Sequence, residues 1–479
     1  MKRLFEKWKK MPDGVRASLA FFFSGLVTKG IGYIITPIYT RLLSPEEYGQ
    51  VSVYLTWMEV LGIIAMFCFS YGVFNNGMLD FKEDRDNFSF SLLMLSNLIT
   101  IGLGIVVAML YPLVGKYIGI DIPLLLLMFM VFLFQPAYSF WVARQRYELK
   151  YKKTVALSIF SALFTPLLAI AGILLLPNNR LYGRLFGGEL ALLSIYIVFY
   201  IYWAVKNKGK VNTKYWRYAF FFNLPLIPHY LSTRLLSSSD KIMISHIVGD
   251  SAAAYYSVAY TIASVVLIVW TSANSSLIPY TYEKCEKKDY ASISRATLPI
   301  LCLFAGVCFF LIMLAPEIVA FIAPSNYKEA VYAIPPVIGG VFFQVHYYMY
   351  ANVLYYYKKP KYVMLGSVVS TVLNLILNYI FINMFGYIAA AYTTLVCYLL
   401  QAAIDYFAMR KTVKNSVYNM KWIGLLSLLV AVVSVFSRFV YRFSIIRYSL
   451  LALLCIAAVL LRKKIIGILF AGKRRKDET

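Results

Sequence analysis

The chain is 479 residues long, 61% hydrophobic and only 14% charged, with a mean hydropathy of +0.68. A soluble domain carries about 25% charged and about 45–50% apolar residues, so the composition excludes a soluble globular protein and points to a polytopic membrane one. The net charge of +25 would suggest nucleic acid in a soluble chain. Here the basic residues sit mainly in short loops between apolar runs, which reads as membrane topology; no nucleic-acid partner is expected.

A helix needs about 20 apolar residues to cross the hydrocarbon layer. In chain order such runs have cores at 17–41, 50–75, 89–114, 122–143, 154–177, 186–205, 218–248, 252–281, 296–323, 330–357, 362–385, 387–409, 422–440 and 446–468. The expected fold is all-α and polytopic, with about 14 transmembrane helices. Several runs exceed the minimum, so tilting or projection beyond the bilayer is expected. Met1–Arg16 is basic, but the run that follows is too long and lacks a small-residue cleavage site, so no cleavable signal peptide is expected. With the N-terminus inside, 36 of the 47 Lys and Arg fall on the inner side, eight on the outer side (Arg180, Arg184, Arg438, Arg442 and Arg447 among them), and three within spans. That bias supports the helix count and places both termini in the cytoplasm. The cluster at Arg438, Arg442 and Arg447 runs against it. Five of the six cysteines lie in apolar runs, Cys285 lies in a charged loop, and none forms a CxxC pair, which argues against both a metal site and disulfides.

An internal repeat underlies the pattern. A shift of 205 residues lays Thr28 on Thr233, Lys29 on Arg234 and Ser52-Val53 on Ser257-Val258. A shift of 209 lays Gln135 on Gln344, Tyr138 on Tyr347 and Ser158 on Ser367. The first span matches the seventh and the fourth matches the tenth. An offset of six spans preserves direction, so the repeats are parallel, about an axis along the membrane normal. The expected organisation is an N-terminal lobe of six helices (1–210), a C-terminal lobe of six helices (211–415), and two extra helices with a basic tail (416–479), the lobes enclosing a central cavity.

The seventh run carries Tyr230, Thr233, Arg234, Ser237, Ser238, Lys241 and Ser245 at three- and four-residue steps, a single helical face. The first run carries a matching stripe: Gly25, Thr28, Lys29, Gly32, Thr36 and Thr40. Polar stripes on apolar helices face other helices or water, not lipid. A charge at bilayer depth costs at least about 2.5–3.5 kcal/mol on insertion scales, so the matched pair Lys29 and Arg234, with Lys241 two turns further on, reads as the floor of a cavity for an anion. A phosphate or pyrophosphate would exchange water for bidentate Arg contacts and the Lys point charge. The competing reading is that acids neutralise these bases and the pairs only specify packing. Glu59 could neutralise Lys29, and Asp240 could pair with a cation on a neighbouring helix.

Other polar residues have two readings each. Gln135 and Gln344 could bond sugar hydroxyls or bridge helices. Thr233 and Ser237 share the Arg234 face. His229 could relay protons or simply pack. Pro225 and Pro228 should kink or break the seventh span, as a fixed bend or a hinge. Tyr347-Tyr348-Met349-Tyr350 could stack on sugar rings, with packing as the default. The outer loops are short, no paired acidic motif is placed to hold a metal for sugar transfer, and there is no P-loop. The residues point to transport without covalent chemistry.

Two stretches resemble a known family. Arg41-Leu42-Leu43-Ser44-Pro45-Glu46-Glu47-Tyr48-Gly49 closes the first span. Asp240-Lys241-Ile242-Met243-Ile244-Ser245, Val248-Gly249 and Tyr255-Tyr256-Ser257-Val258-Ala259 run through and beyond the seventh. The chain resembles, over nearly its whole length, the polysaccharide repeat-unit flippases of the multidrug/oligosaccharidyl-lipid/polysaccharide exporter superfamily. The resemblance implies a protein of the bacterial cytoplasmic membrane, not an enzyme, that flips an undecaprenyl-pyrophosphate-linked oligosaccharide from inner to outer leaflet by alternating access. It implies no cofactor, possible coupling to an H+ or Na+ gradient, and partners among membrane lipids, a polysaccharide polymerase and other assembly proteins. A lipid II flippase and a cation-coupled drug antiporter are the alternatives from the same superfamily. The first would carry more basic residues on the first helix and the second a more acidic cavity. A membrane glycosyltransferase or polymerase would need the catalytic loop that is missing.

Overall fold

The computed structural model describes residues 13–207, 210–456 and 459–460. The basic residues Lys2–Lys10, the end of the last predicted span and the basic tail from Arg462 lie outside the described residues. All regular structure among the described residues is helical, and a helix falls within each predicted span.

α1 (Asp13–Leu42) ends two residues before α2 (Pro45–Ala65) begins. The restart is local chemistry. Ser44 Oγ accepts from the Glu47 amide at 3.1 Å, and the Ser44 amide donates to Glu47 Oε2 at 2.8 Å. This is a capping box, with Pro45 at the first helical position. α2 stops at a turn in which Phe67 and Cys68 adopt φ of 52° and 50°. This left-handed conformation costs a non-glycine residue roughly 1–2 kcal/mol. α3 (Gly72–Asp80) follows, so the second predicted span is broken, which hydropathy alone does not show.

α4 (Arg85–Ile118) ends on Gly119, whose φ of 64° forms a left-handed cap. α5 (Ile122–Tyr147), α6 (Tyr151–Leu175) and α7 (Arg180–Asn207) complete the first six spans. α6 and α7 touch through glycine: a Cβ on Gly172 would meet the Gly183 carbonyl oxygen at 2.2 Å, and one on Gly187 would meet that of Leu168 at 2.4 Å. Such small residues let helix backbones approach where lipid supplies no hydrophobic drive.

The seventh span is broken as its prolines predict. α8 (Thr213–Asn223) gives way to a 3-10 turn, Leu224–Leu226, and α9 (Ile227–Ile247) resumes beyond it. The two breaks meet: buried Asn223 donates its side-chain amide to the Phe67 carbonyl at 2.7 Å. Irregular backbone is tolerated at membrane depth where protein groups satisfy it. α8 is tied to the preceding helices by Tyr215 and Tyr218, whose hydroxyls donate to Asp84 and Asp80 at 2.7 and 2.8 Å, and by the Trp216 indole on the Ser91 carbonyl.

α10 (Asp250–Glu286), α11 (Tyr290–Met313) and α12 (Ala315–Ile322) follow, then a 3-10 segment, Ser325–Tyr332, and α13 (Ile334–Tyr356). α14 (Pro360–Phe385), α15 (Ile388–Thr412), α16 (Met420–Val440) and α17 (Ser444–Ile456) close the described chain. α13 is buried along nearly its whole length and is the axis on which α10, α15 and α16 pack. Arg447 departs from the charge bias for a local reason: its guanidinium forms a fork with Glu317, both contacts at 2.6 Å.

Ten described helices are long and apolar enough to cross a membrane, or eleven if the 3-10 segment and α13, bent by 46°, count as one span. Of the fourteen predicted spans, those outside this set are the two broken ones and the last. The chain separates into two compact units, Met1–Ser238 and Ser239–Thr479. The division falls inside α9, later than the lobe boundary read from the repeat, because α8 packs with the helices before it.

Replacing Asn223 by alanine leaves the Phe67 carbonyl unpaired in the interior. A loss of about 1–3 kcal/mol in stability is expected, measured as a lowered thermal midpoint of the detergent-solubilised full chain. An unchanged midpoint would show that the junction is satisfied in another way.

Candidate functional site

The polar face of α9 forms because its hydroxyls satisfy themselves on their own helix. Thr233 Oγ1 donates to the His229 carbonyl at 2.8 Å, and Ser237 Oγ to that of Arg234 at 3.0 Å. The charged group cannot do this. Arg234 Nη1 reaches Glu59 Oε2 of α2 at 3.3 Å, and Ser238 Oγ donates to the same oxygen at 3.1 Å. Glu59 is therefore the partner of Arg234. Among the described residues no hydrogen bond or ion pair joins Glu59 to Lys29, which corrects the pairing weighed from sequence. The pair is open, with side-chain exposures of 44% and 48%. One long contact leaves most of the five guanidinium N–H donors available to a ligand.

Lys29 lies exposed on α1. On its stripe Thr28 and Thr36 bond back to the carbonyls of Gly25 and Gly32 at 3.1 and 2.9 Å. A Cβ at Gly25 or Gly32 would meet nothing within 4 Å. The stripe is open at Gly25, Lys29 and Gly32, whereas Thr36 and Thr40 further along it are buried. Lys29 and Arg234 both belong to the N-terminal unit.

Asp240 is a different kind of charge. It is fully buried in the C-terminal unit, and neutral groups meet it instead of the cation expected of a neighbouring helix. Asn378 Nδ2 and Thr394 Oγ1 donate to it at 2.6 and 2.7 Å, and the Tyr256 hydroxyl also donates to it. Asn374 bonds Thr394 at 3.0 Å and accepts from Asn378 at 3.2 Å, so α9, α10, α14 and α15 all contribute to one polar knot. Lys241, its neighbour in sequence, lies over the Tyr260 ring at 5.3 Å.

The remaining sequence candidates stand apart. Gln135 is half-buried on α5, whereas Gln344 is enclosed within α13. His229 is half-buried at the start of α9, where its carbonyl accepts from Ser232 and Thr233. Tyr347 and Tyr350 are buried, and Tyr350 packs against Tyr406 and Tyr418, so most of that run is packing.

Sequence reading missed three charged residues. Glu189 (4% exposed, on α7) and Asp405 (fully buried, on α15) are acids inside apolar helices, where only Glu59 and Asp240 had been counted as deep. Their signal was a lone acid within an otherwise apolar run. Arg184 had been assigned to an outer loop. The α6–α7 connection is too short to hold it, and it lies more than a turn into α7.

The family model described as polysaccharide biosynthesis protein matches residues 15–283, and that of MatE matches residues 225–380. Lsg locus putative protein 1 of Haemophilus influenzae is 27% identical over 198 residues, 38% of this chain and 48% of that protein; the match spans about half of that relative's length. The fold is similar to that of the lipid II flippase MurJ in an inward closed conformation (TM-score 0.69, 15% identity, 94% of this chain and 100% of that one). It is also similar to an inward-facing multidrug resistance MATE family transporter of the MOP superfamily (TM-score 0.61, 11% identity, 81% and 96%). A third likeness is to a MOP superfamily transporter from Pyrococcus furiosus (TM-score 0.57, 13% identity, 85% and 98%). The helices and their order thus show a multi-pass membrane protein with the fold of these transporters and flippases. The chain belongs to the polysaccharide biosynthesis protein family.

The exposure of the Arg234–Glu59 pair sets an expectation for its energetics. Exposed ion pairs contribute about 0.2–1 kcal/mol. A double-mutant cycle with Glu59→Gln and Arg234→Gln, read by thermal unfolding, should give a coupling below about 1 kcal/mol. A coupling several times larger would make the pair a structural bridge instead of an open anion site.

Proposed function

We propose that this protein flips an undecaprenyl-pyrophosphate-linked oligosaccharide from the inner to the outer leaflet of the bacterial cytoplasmic membrane, with both termini in the cytoplasm. The product would be a repeat unit for surface polysaccharide, O-antigen, capsule or exopolysaccharide, handed on to a polymerase and other assembly proteins. The observation that carries this reading is the open Arg234 on a broken helix, half-exposed and only loosely held by Glu59. Membrane family and fold supply the transporter, and the cations supply the preference for an anion. Lys29 and Arg234 receive the pyrophosphate, Lys241 extends the basic face of α9, and the polyprenyl chain stays in lipid. Glu59 holds Arg234 until a stronger anion displaces it. The matched halves of the repeat carry the change in access.

Coupling to an H+ or Na+ gradient, where present, is assigned to Asp240. A buried carboxylate met by an amide N–H and two hydroxyl donors supplies the negative charge that either ion needs. It stands on the same helix as Arg234, so its charge state can act on α9.

Lys29→Ala and Arg234→Ala should each abolish transport while the protein still folds and inserts. Complementation of a flippase-deficient strain with an expression control checks this, and full activity of both variants would remove the binding role. In proteoliposomes with an imposed H+ or Na+ gradient, Asp240→Asn should make flipping of a defined lipid-linked oligosaccharide indifferent to the gradient. A retained gradient response would place coupling elsewhere. Normal surface polysaccharide combined with raised drug sensitivity in a strain lacking the protein would favour the antiporter instead.

A further inference from the structure

The N-terminal unit contains a cavity of about 410 Å³ that takes in part of the α1 stripe, Thr28, Gly32 and Thr36, but not Lys29. α1, α2, α6 and α7 line it, all within Met1–Ser238. That volume lies within the usual range of small-molecule sites, about 300–1,000 Å³. We propose that it binds one carboxylated sugar of the transported oligosaccharide, with Arg184 taking the carboxylate.

The positioning of Arg184 is built into the sequence Gly183-Arg184-Leu185-Phe186-Gly187-Gly188. Gly183 and Gly187 bring α7 against α6. Arg184 then leaves the helix beside that seam, and its Nη1 end points back at Gly188, where a Cβ would meet it at 2.6 Å. The guanidinium covers the Tyr39 ring, at 4.3 Å from the centroid. The absence of a side chain at Gly188 leaves room for the fork, and the Tyr39 ring supports one face of it. Among the described residues it has no carboxylate or carbonyl partner, and its Nε is buried with its hydrogen-bonding capacity unmet. A planar, held, unpaired guanidinium is arranged for a bidentate oxyanion.

The other walls select among oxyanions. Among the described residues Arg184 is the sole basic side chain lining the cavity, and Glu189 stands on the same helix five residues on. That balance suits a single negative charge and disfavours a pyrophosphate with several. The rest of the lining carries hydroxyls and a second ring, Tyr48. Thr36, Ser52 and Ser161 donate to backbone carbonyls at 2.9, 2.9 and 3.1 Å, which leaves their lone pairs to accept from sugar hydroxyls. Thr165 Oγ1 is buried without a partner. Tyrosine rings suit the C–H faces of a pyranose. A carboxylate on a polyhydroxyl ring uses all of these features, whereas a free phosphate uses only one.

The inference rests on the flippase reading for its substrate, but its test does not. The probes are sodium glucuronate, glucose and inorganic pyrophosphate, added to the full chain in nanodiscs and followed by saturation-transfer NMR. Glucuronate should bind at least about tenfold more tightly than glucose. Arg184→Gln should remove that difference, while Lys29→Ala leaves it in place. Equal binding of the two sugars, or a glucuronate preference that survives Arg184→Gln, would overturn the proposal. So would pyrophosphate displacing glucuronate with higher affinity in an Arg184-dependent way, which would make this a diphosphate site. If Arg184→Gln does not give monodisperse protein, Thr165→Val keeps the shape and removes one hydroxyl. A severalfold weaker glucuronate signal is then expected, and no change counts against the pocket. Failure of the wild-type protein to flip any lipid-linked oligosaccharide would sink the flippase reading and leave the binding result standing. Normal flipping of acidic repeat units by Arg184→Gln would sink the pocket alone.

Discussion

A polar group inside hydrocarbon must find its partner within the protein, because lipid offers none. Nearly every feature of this chain follows from how that demand is met. Hydroxyls meet it locally: Thr36, Thr56, Thr233, Ser237 and Thr297 donate to carbonyls three or four residues back on their own helices. They make a stripe polar without committing it to a neighbour. Charges cannot be satisfied this way. Each must meet a counter-charge, a ring of neutral donors or a wet cavity, and the chain uses all three. Arg234 has Glu59, Asp240 has Asn378, Thr394 and Tyr256, and Arg184 lines a cavity.

The two units spend their polar residues differently. The C-terminal unit buries them: Asp240, Gln344, His346, Asn374, Asn378 and Asp405 are all enclosed. Several are bound to one another across helices, as when Ser427 meets His346 at 3.1 Å and Asn352 meets Asn274 at 2.8 Å. The N-terminal unit keeps Lys29, Glu59 and Arg234 exposed. Cross-helix amide and hydroxyl networks fix the register of packed helices, whereas exposed cations remain available to a ligand. The exposed charges on α1, α2 and α9 thus lie in the N-terminal unit, and these amide and histidine contacts lie in the C-terminal one.

Helix existence was legible from hydropathy because apolar runs of about 20 residues leave a membrane chain few options. The break at Pro225 and Pro228 was legible because proline removes a donor and fixes φ. The motif from Ser44 to Glu47 was legible as a family mark, and its capping geometry explains its form: it starts α2 immediately after α1. Partnerships were not legible. Period and spacing place Glu59 and Asp240 at a depth and on a face, but a partner depends on the rotation of the neighbouring helix, and hydropathy carries no information about that. Glu59 thus went to Arg234 and not Lys29, and Asp240 to amides and hydroxyls and not to a cation. The break at Phe67 and Cys68 was hidden for a related reason. No glycine or proline stands at its two left-handed positions, and Asn223, 156 residues away in sequence, satisfies the Phe67 carbonyl there.

Arg184 shows how a boundary error becomes a chemical one. Treated as a loop residue, it is one more solvated charge in a topology count. Placed in α7, it carries the desolvation cost of a guanidinium inside a bundle, and that cost needs an offset. Glu189 sharpens the point, since it lies on the same helix, buried, with an oxygen that has no donor. Asp405 is likewise buried, on α15, with both oxygens unpaired. A carboxyl is therefore buried on α7 and on α15, with an arginine five residues from it on each helix, Arg184 before Glu189 and Arg410 after Asp405, and the cavity described above is lined by the first of these arginines. Were these acids needed only to lock helices together, each would be expected to have acquired a donor, as Asp240 has. Their unpaired oxygens instead set them apart from Asp240 as carboxyls not spent on tying helices together.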